Sequence, residues 1–391
     1  MNATQTEFQL QASTSLQAVR SQGWDELVGS FDLYLSTPWL SVEERIASLP
    51  PTYLTGKIGD RLSAGLTCYA LGPDTPAWPF ARIDAFIARL FREAGRECKA
   101  ASALLSRTLP TQLCGGRRPG HTRLLLAAGL DEDTRRMLAR HLLGEAERLA
   151  RQREAASLSF LYVDEDDHVL RQALLAAGFA EFPSAIAARM QVPADLDHFF
   201  GQFSGHRRRR IQKERRVLQE AGIEYRALPL TKEVIEEILP LELALYAKYA
   251  TEFPPAEAAR LHHAVAEVLG DRVQVLAALQ DGKMCGFVVL VRWGDTLFGR
   301  QGGFDYASQG RLPLYFGLAF YASVEYAIKV GARYIEYGIG SEGAKASRGC
   351  MLRQQYGYVK VFNQRDHTVV RRLLEELPCG VAAWREQGKE E

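Results

Sequence analysis

Hydrophobic positions along this chain fall into short alternating runs and longer runs with helical spacing, and the two kinds follow each other in a recurring order. PTYLTGKI and RLSAGLTCYAL alternate on either side of Gly59-Asp60, a strong turn dipeptide, which predicts a hairpin. A Pro/Gly-rich loop, LGPDTPAWPF, follows. Then come a helix over 81–105, a loop carrying Gly115, Gly116, Pro119 and Gly120, and a strand from Thr122. In DEDTRRMLARHLLGEAERLARQREA the leucines recur at helical spacing, acids open the segment and arginines gather at its end, so its charges match a helix dipole. SLSFLYVD, HVLRQALLAAGF and AIAARMQV then read as a strand, a short helix closed by Gly178, and a strand.

The second half repeats this order. IEYRALP predicts a strand, and helices begin near Thr231 and near Pro255. RVQVLAAL, KMCGFVVLVRW and TLFGRQGGFDY predict a meander that turns at Asp281-Gly282 and Gly294-Asp295. Residues Pro313 to Val330 predict a helix apolar nearly all round, hence buried, with Glu325 and Lys329 as an i,i+4 pair on its exposed strip. RYIEYGI completes a strand–helix–strand crossover, right-handed, with its two strands parallel. The fold class is therefore α/β, with α+β character: two tandem units, each a mixed sheet flanked by helices, over 1–195 and 196–391. A chain of 391 residues suits two such units better than one large domain. No repeat of fixed period accompanies the duplication.

Charge changes this picture in one place. Forty-eight Lys and Arg against 47 Asp and Glu leave a net charge of +1, so no general field draws in nucleic acid or membrane. Between His206 and Arg216, however, stand seven Lys or Arg and a single acid, Glu214, on helix formers stopped by Gly222. The run reads either as a solvated helix face or as a local potential suited to a phosphate-bearing ligand. The six cysteines are scattered without CxxC spacing, against both a disulfide scaffold and a zinc site. No apolar run reaches the roughly 18–20 residues of a membrane span, and the N-terminus lacks the basic and apolar regions of a signal peptide. A cytoplasmic protein with no membrane span is the expectation.

Ligands of open α/β sheets gather beyond the carboxyl ends of parallel strands. Those ends are Gly303, Phe304, Asp305 and Tyr306 on one strand and Tyr337, Gly338, Ile339 and Gly340 on the next. Gly302, Gly303, Gly338, Gly340 and Gly343 either admit a ligand closely or serve turns and bulges. Alternation places Tyr334, Glu336 and Gly338 on one face, and a carboxylate inside an apolar strand needs a partner, for which Arg300 is the candidate. Glu336 is thus a structural ion pair or a general base, and Glu342 offers a base acting through a water. Lys345 and Arg348, three apart, suit a carboxylate or phosphate, or form a solvated pair. Tyr306 and Tyr315 flank the strand ends as proton donors or pocket lining. There is no GxSxG elbow for a serine hydrolase. His262-His263 lacks metal-ligand spacing and reads as packing, and GGRRPGH has the composition of a phosphate loop without the Walker lysine spacing.

Three passages, HRRRRIQKERRVLQEAGIEYR, LPLYFGLAFYASVEYAIKVGARYIEYG and SEGAKASRG, together resemble the GNAT-fold proteins of the FemAB and BioF2-like acyltransferase group, the peptidoglycan biosynthesis/recognition-type predicted N-acyltransferases. The resemblance spans about residues 195–365, and LLAAGFAEFPSAIAARMQV is similar to the end of a first GNAT-like unit. It implies transfer of an acyl or aminoacyl group from acyl-coenzyme A or aminoacyl-tRNA, as co-substrate, to an amine of a small molecule or of a cell-wall or specialised-metabolite precursor. No tightly bound cofactor and no metal are implied. The two parallel strands would splay between TLFGRQGGFDY and RYIEYGIG, with the donor carbonyl in the gap. The coenzyme A loop Q/R-x-x-G-x-G/A is missing from DYASQGRLPLYF, which offers Gln309, Gly310 and Arg311 and raises the tRNA alternative. The expected site is Glu336, Glu342 and Tyr306 for catalysis; Arg300, Gly303, Asp305, Tyr315, Gly338, Lys345 and Arg348 for substrate; and Arg207, Arg208, Arg210, Lys213 and Arg311 for donor phosphates. The alternative is a recognition module that keeps the fold without catalysis and binds a cell-wall fragment or nucleic acid.

Overall fold

The computed structural model describes residues 8–30, 32–47, 49–96, 99–249, 253–308 and 310–377. Its strands are, in chain order, β1 (Phe8–Ser13), β2 (Thr52–Ile58), β3 (Arg61–Leu71), β4 (Thr111–Cys114), β5 (Leu125–Leu126), β6 (Ser157–Asp164) and β7 (Ala180–Gln191). They continue as β8 (Glu224–Pro229), β9 (Val273–Gln280), β10 (Lys283–Trp293), β11 (Thr296–Phe304), β12 (Tyr334–Gly338) and β13 (Met351–Val361). The chain divides into a first unit, Met1–Ala187 with Arg353–Glu391, and a second, Ala188–Leu352.

In the first unit β1, β2, β3 and β4 pair antiparallel in succession, and the expected hairpin closes with Ile58 opposite Arg61. The helix Glu132–Gln152 then carries the chain to β6, which runs parallel to β4 from Thr111 opposite Ser157 to Cys114 opposite Phe160. Asp131 caps that helix by accepting the Thr134 N–H at 2.9 Å, and Leu138, Leu142 and Leu149 form its buried face. Each such leucine contributes roughly 1.5–3 kcal/mol by leaving water.

The second unit follows the same plan. Strands β8, β9, β10 and β11 pair antiparallel in succession, and β12 returns parallel to β11. The exposed Thr231 side chain caps the helix Lys232–Lys248, and Pro255 opens the helix Pro255–Leu269. The core gathers Leu276, Leu290, Leu297, Leu318, Phe320 and Ile335.

The division differs from the expected 1–195 and 196–391 because the two halves of the sequence exchange their last strands. Strand β6 takes β13, from the end of the chain, as its antiparallel neighbour, while β12 takes Ala188–Gln191 of β7. A boundary drawn between sequence halves therefore cuts through both units.

Three local expectations also change. The helix over 81–105 is two helices, Ile83–Glu93 and Lys99–Leu105. The strand from Thr122 shrinks to β5 and one isolated bridge. The helix from Pro313 to Val330 is helical throughout Leu314–Lys329 but winds as a π-helix over Gly317–Ala322, where the Ser323 hydroxyl donates to the Leu318 carbonyl five residues back. Cys68, Cys114, Cys285 and Cys350 are free and buried; Cys98, Cys379 and Gln309 lie outside the described residues. Among the described residues no helix is long and apolar enough to cross a membrane.

Candidate active site

The expected splay is present in the second unit. Strands β11 and β12 pair at only three positions, the last being Phe298 opposite Glu336, and β11 then runs on through Phe304 without β12 beside it. Both strands bulge as they part. On β11, Gln301 lies opposite Val289 and Gly299 opposite Leu290, so Arg300 is the extra residue. On β12, Glu336 lies opposite Arg189 and Gly338 opposite Ala188, so Tyr337 is the extra residue. A bulge interrupts the ladder and re-aims side chains, and here one falls on each wall of the same gap.

The corresponding place in the first unit is closed. Beyond Cys114 the chain turns at Gly115 and returns, and Thr122 bridges to Val163 of β6. The Thr122 N–H donates to the Tyr162 carbonyl at 2.9 Å, and its hydroxyl accepts the Gly116 N–H at 3.2 Å. A Cβ on Gly115 would stand 2.3 Å from the Thr122 methyl, so only glycine fits there. The arginines of GGRRPGH face inward: Arg118 pairs with buried Glu43 at 2.6 Å and Arg117 with the same carboxylate at 3.4 Å. Its phosphate-loop composition thus serves an internal ion pair.

Glu336 is buried, and the ion-pair partner the structure places against it is Arg189 of β7, Nε to Oε1 at 3.2 Å. This corrects the expectation of Arg300 as the partner, because the sequence pattern does not bring β7 beside β12. The Arg189 guanidinium lies 3.9 Å over the Tyr334 ring as well. Arg300 instead acts on a buried pair whose histidine the sequence pattern assigns to packing. His262 Nε2 and Glu242 Oε2 are 2.5 Å apart, and the Tyr246 hydroxyl donates to Glu242 at 2.8 Å. Burial and the Arg300 charge push the imidazole below its ordinary range. Burial would raise Glu242, but the hydrogen bond from His262 and the Arg300 charge outweigh it. Gly303 is small for the sake of the helix Lys232–Lys248, since a Cβ there would stand 2.5 Å from the Leu241 backbone; this replaces the expected ligand approach.

Lys345 and Arg348 face inward, contrary to the expectation of a ligand-facing or solvated pair. The Lys345 ammonium donates to the carbonyls of Tyr337, Gly338 and Ile339 at 2.9, 3.1 and 2.8 Å, satisfying the carbonyls at the end of β12. Burial pushes it down to about 8. Gly338, Gly340 and Ser341 beside it all have positive φ. Glu342 is half-buried and accepts the Gly340 N–H at 3.1 Å. Arg348 is wholly buried: its guanidinium reaches the Tyr321 hydroxyl at 3.0 Å and Glu214 at 2.6 Å, and lies 4.0 Å over the Phe316 ring.

Glu214 belongs to the basic helix Gly205–Glu220, capped by Ser204 and anchored through buried Ile211 and Leu218. Its other oxygen accepts from Arg210 at 3.1 Å. Arg208, Arg209, Arg210, Lys213, Arg215 and Arg216 are exposed and Arg207 half-buried, so the predicted positive face exists. Arg311 is exposed too. Asp305 accepts the N–H groups of Ala307 and Ser308, each at 3.2 Å, and so shapes the turn after β11 rather than standing ready for substrate. The Lys248 ammonium lies 4.2 Å over the Tyr306 ring, and burial pushes that phenol up to about 12. Tyr315, also pushed up to about 12 by burial, packs edge-on to Phe304 and Phe320. The arrangement can hold a carbonyl between two parting strands, keep water from it with aromatic rings, and present a cationic helix to a polyanion.

Comparison with known proteins accords with this architecture. The model of the FemAB-like family, described as peptidoglycan biosynthesis/recognition, matches residues 119–390. Among solved structures, FemX superposes with a TM-score of 0.62 at 11% identity, covering 93% of this chain and all of that one. A tandem GNAT protein from the clavulanic acid biosynthesis pathway gives 0.54 at 13%, covering 90% and 98%. A conserved protein of unknown function from Bacteroides thetaiotaomicron gives 0.52 at 13%, covering 90% and 99%. A search of curated protein sequences gave no match. With the duplicated plan, the splayed parallel pair and a family match over most of its length, the chain belongs to the FemAB-like family and has a tandem GNAT fold.

Proposed function

We propose that this protein is a transferase that moves an acyl or aminoacyl group from an activated carrier to an amine of a cell-wall peptide precursor, with its active centre in the second unit. The observation that carries this reading is the parting of β11 and β12 after Phe298 and Glu336 with a bulge on each strand, where the first unit bridges the same place with Thr122. Backbone N–H groups freed from a ladder are the preorganised donors that a developing oxyanion needs. The family description favours a cell-wall acceptor over a free small-molecule amine.

Aminoacyl-tRNA is the donor we favour. The helix Gly205–Glu220 offers six exposed cations, and the loop after β11 lacks the Q/R-x-x-G-x-G/A pattern that would hold a coenzyme A pyrophosphate. In this reading Arg207, Arg208, Arg210, Lys213 and Arg311 meet phosphates. Glu342, not committed to an ion pair among the described residues, takes the amine proton more readily than Glu336, which Arg189 holds. Tyr306 and Tyr315 line the site.

The test is transfer of label from a panel of charged tRNAs and acyl-coenzyme A thioesters to peptidoglycan-precursor peptides, read by mass spectrometry. A product retaining the acyl group on an amine is the expected result. The inward engagement of Lys345 and Arg348 favours a second reading, a recognition module without catalysis. Binding of uncharged RNA or precursor with no transfer from any donor would select it.

A further inference from the structure

Tyr337 is the extra residue in the β12 bulge, one position beyond Glu336, the last residue of β12 paired with β11. Its ring stacks on Phe320 of the π-helical turn, centroids 5.0 Å apart and planes at 28°. Its backbone is fixed, because the Lys345 ammonium holds its carbonyl at 2.9 Å. Its hydroxyl oxygen is buried and has no hydrogen-bond partner among the described residues. A buried hydroxyl without a partner is uncommon in a folded protein, and this one belongs to a residue whose backbone stands where β11 and β12 part.

The surroundings decide what the hydroxyl does. Burial, with Cys350 and Tyr315 close by, pushes it well above its ordinary range, so it keeps its proton throughout the neutral range and has that proton to donate in a hydrogen bond. The stacked Phe320 ring excludes water from one side, which strengthens any hydrogen bond made there. An oxygen that gains negative charge inside the gap would complete it.

We propose that the Tyr337 hydroxyl is a hydrogen-bond donor to the acyl carbonyl oxygen of the donor, stabilising the oxyanion of the tetrahedral intermediate. The inference rests on the transferase reading above. The amine lone pair attacks the carbonyl carbon and forms the C–N bond, and the π electrons move to the oxygen, which accepts the Tyr337 O–H. The carbonyl re-forms as the bond to the carrier breaks, and the leaving oxygen or sulfur receives the proton lost by nitrogen. Tyr337 ends as it began, protonated.

The experiment is Tyr337→Phe in the full chain, which removes one oxygen and keeps the stacked ring. Transfer from the donor panel and thermal unfolding are both measured. We expect kcat to fall about 100-fold with KM for the acceptor unchanged, the effect of losing one oxyanion donor. Thermal stability should be unchanged or higher, since no intramolecular hydrogen bond is lost. A variant that keeps its rate overturns the proposal, as does a marked fall in melting temperature, which would reveal a partner within the protein. A wild type that transfers nothing from any donor is a different result, seen before the variant is made. It discards the transferase reading, and this inference with it.

Discussion

Arg348 and Glu214, 134 positions apart in the chain, meet at 2.6 Å with the arginine wholly buried. The single acid in the basic run therefore ties the basic helix, seated in the core by Ile211 and Leu218, to the loop that follows β12. Its carboxylate also takes the Tyr321 hydroxyl and Arg210, so three elements of the second unit converge on one side chain.

Glu214→Gln leaves Arg348 buried with no opposing charge, and we expect a loss of about 3 kcal/mol, the usual effect of breaking a buried pair from one side. Urea unfolding measures it. Adding Arg348→Met removes the stranded charge and should restore part of the loss. If the single substitution costs less than ~0.5 kcal/mol, the pair is not the fastening described.

The exposed cations behave differently. Arg209→Ala, Lys213→Ala and Arg216→Ala together should leave unfolding within roughly 0.5 kcal/mol of wild type, as surface changes do. RNA affinity should fall, and the slope of log K against log salt should shrink by about one for each phosphate that is no longer neutralised. An unchanged slope in filter binding would remove this helix from the donor site.

His262 and Glu242 make the fold sensitive to acid. The folded state holds His262 below its ordinary 6.5 and Glu242 below its ordinary 4.5, so the unfolded chain binds more protons through both windows. Their contribution is whole above about pH 6.5, declines as His262 is protonated below it, and declines again below about pH 4.5. The free energy of unfolding measured from about pH 7 to pH 5 should fall in the wild type and fall less in His262→Gln. Equal slopes would contradict the assignment.

The exchanged strands predict how fragments behave. A fragment of residues 196–391 lacks Ala188–Gln191 and exposes the edge of β12, while 1–195 lacks β13 and exposes β6. Both should aggregate, as uncovered strand edges do. Residues 188–352 expressed alone should be more soluble than 196–391, as judged by light scattering; the reverse order would argue against the exchange.

Gly303→Ala would drive a methyl into the backbone at Leu241 and Glu242, both immovable, and should destabilise the chain by about 1–3 kcal/mol. Gly338→Ala meets nothing within 4 Å and suffers only its left-handed φ of 63°, about 1 kcal/mol. Melting temperatures of the two variants should rank accordingly.

What could be read from the residues was what depends on near neighbours. Gly59-Asp60, Asp281-Gly282 and Gly294-Asp295 are turns because their local conformations demand it, and these turns set the antiparallel order in both units. The splay was legible through its resemblance. Partners were not legible, because they are chosen in three dimensions. Nothing in RYIEYGI says that Arg189 comes alongside Glu336, and nothing in SEGAKASRG says that Lys345 turns back onto three carbonyls. Glu214 carried a signal of its own, an acid alone among seven cations. Glu242 and His262 carried only the weak one of an acid and an imidazole on consecutive helices.

The bridge from Thr122 to Val163 is made by a returning main chain and one hydroxyl. A gap filled by a large side chain can be reopened by truncating that side chain. Here no single replacement removes the obstacle, because the obstacle is the path of residues 115–122 themselves. Giving the first unit an open gap would take a deletion in that loop. The two copies of the fold are thus set apart by chain length, and swapping side chains between them would not make one do the work of the other.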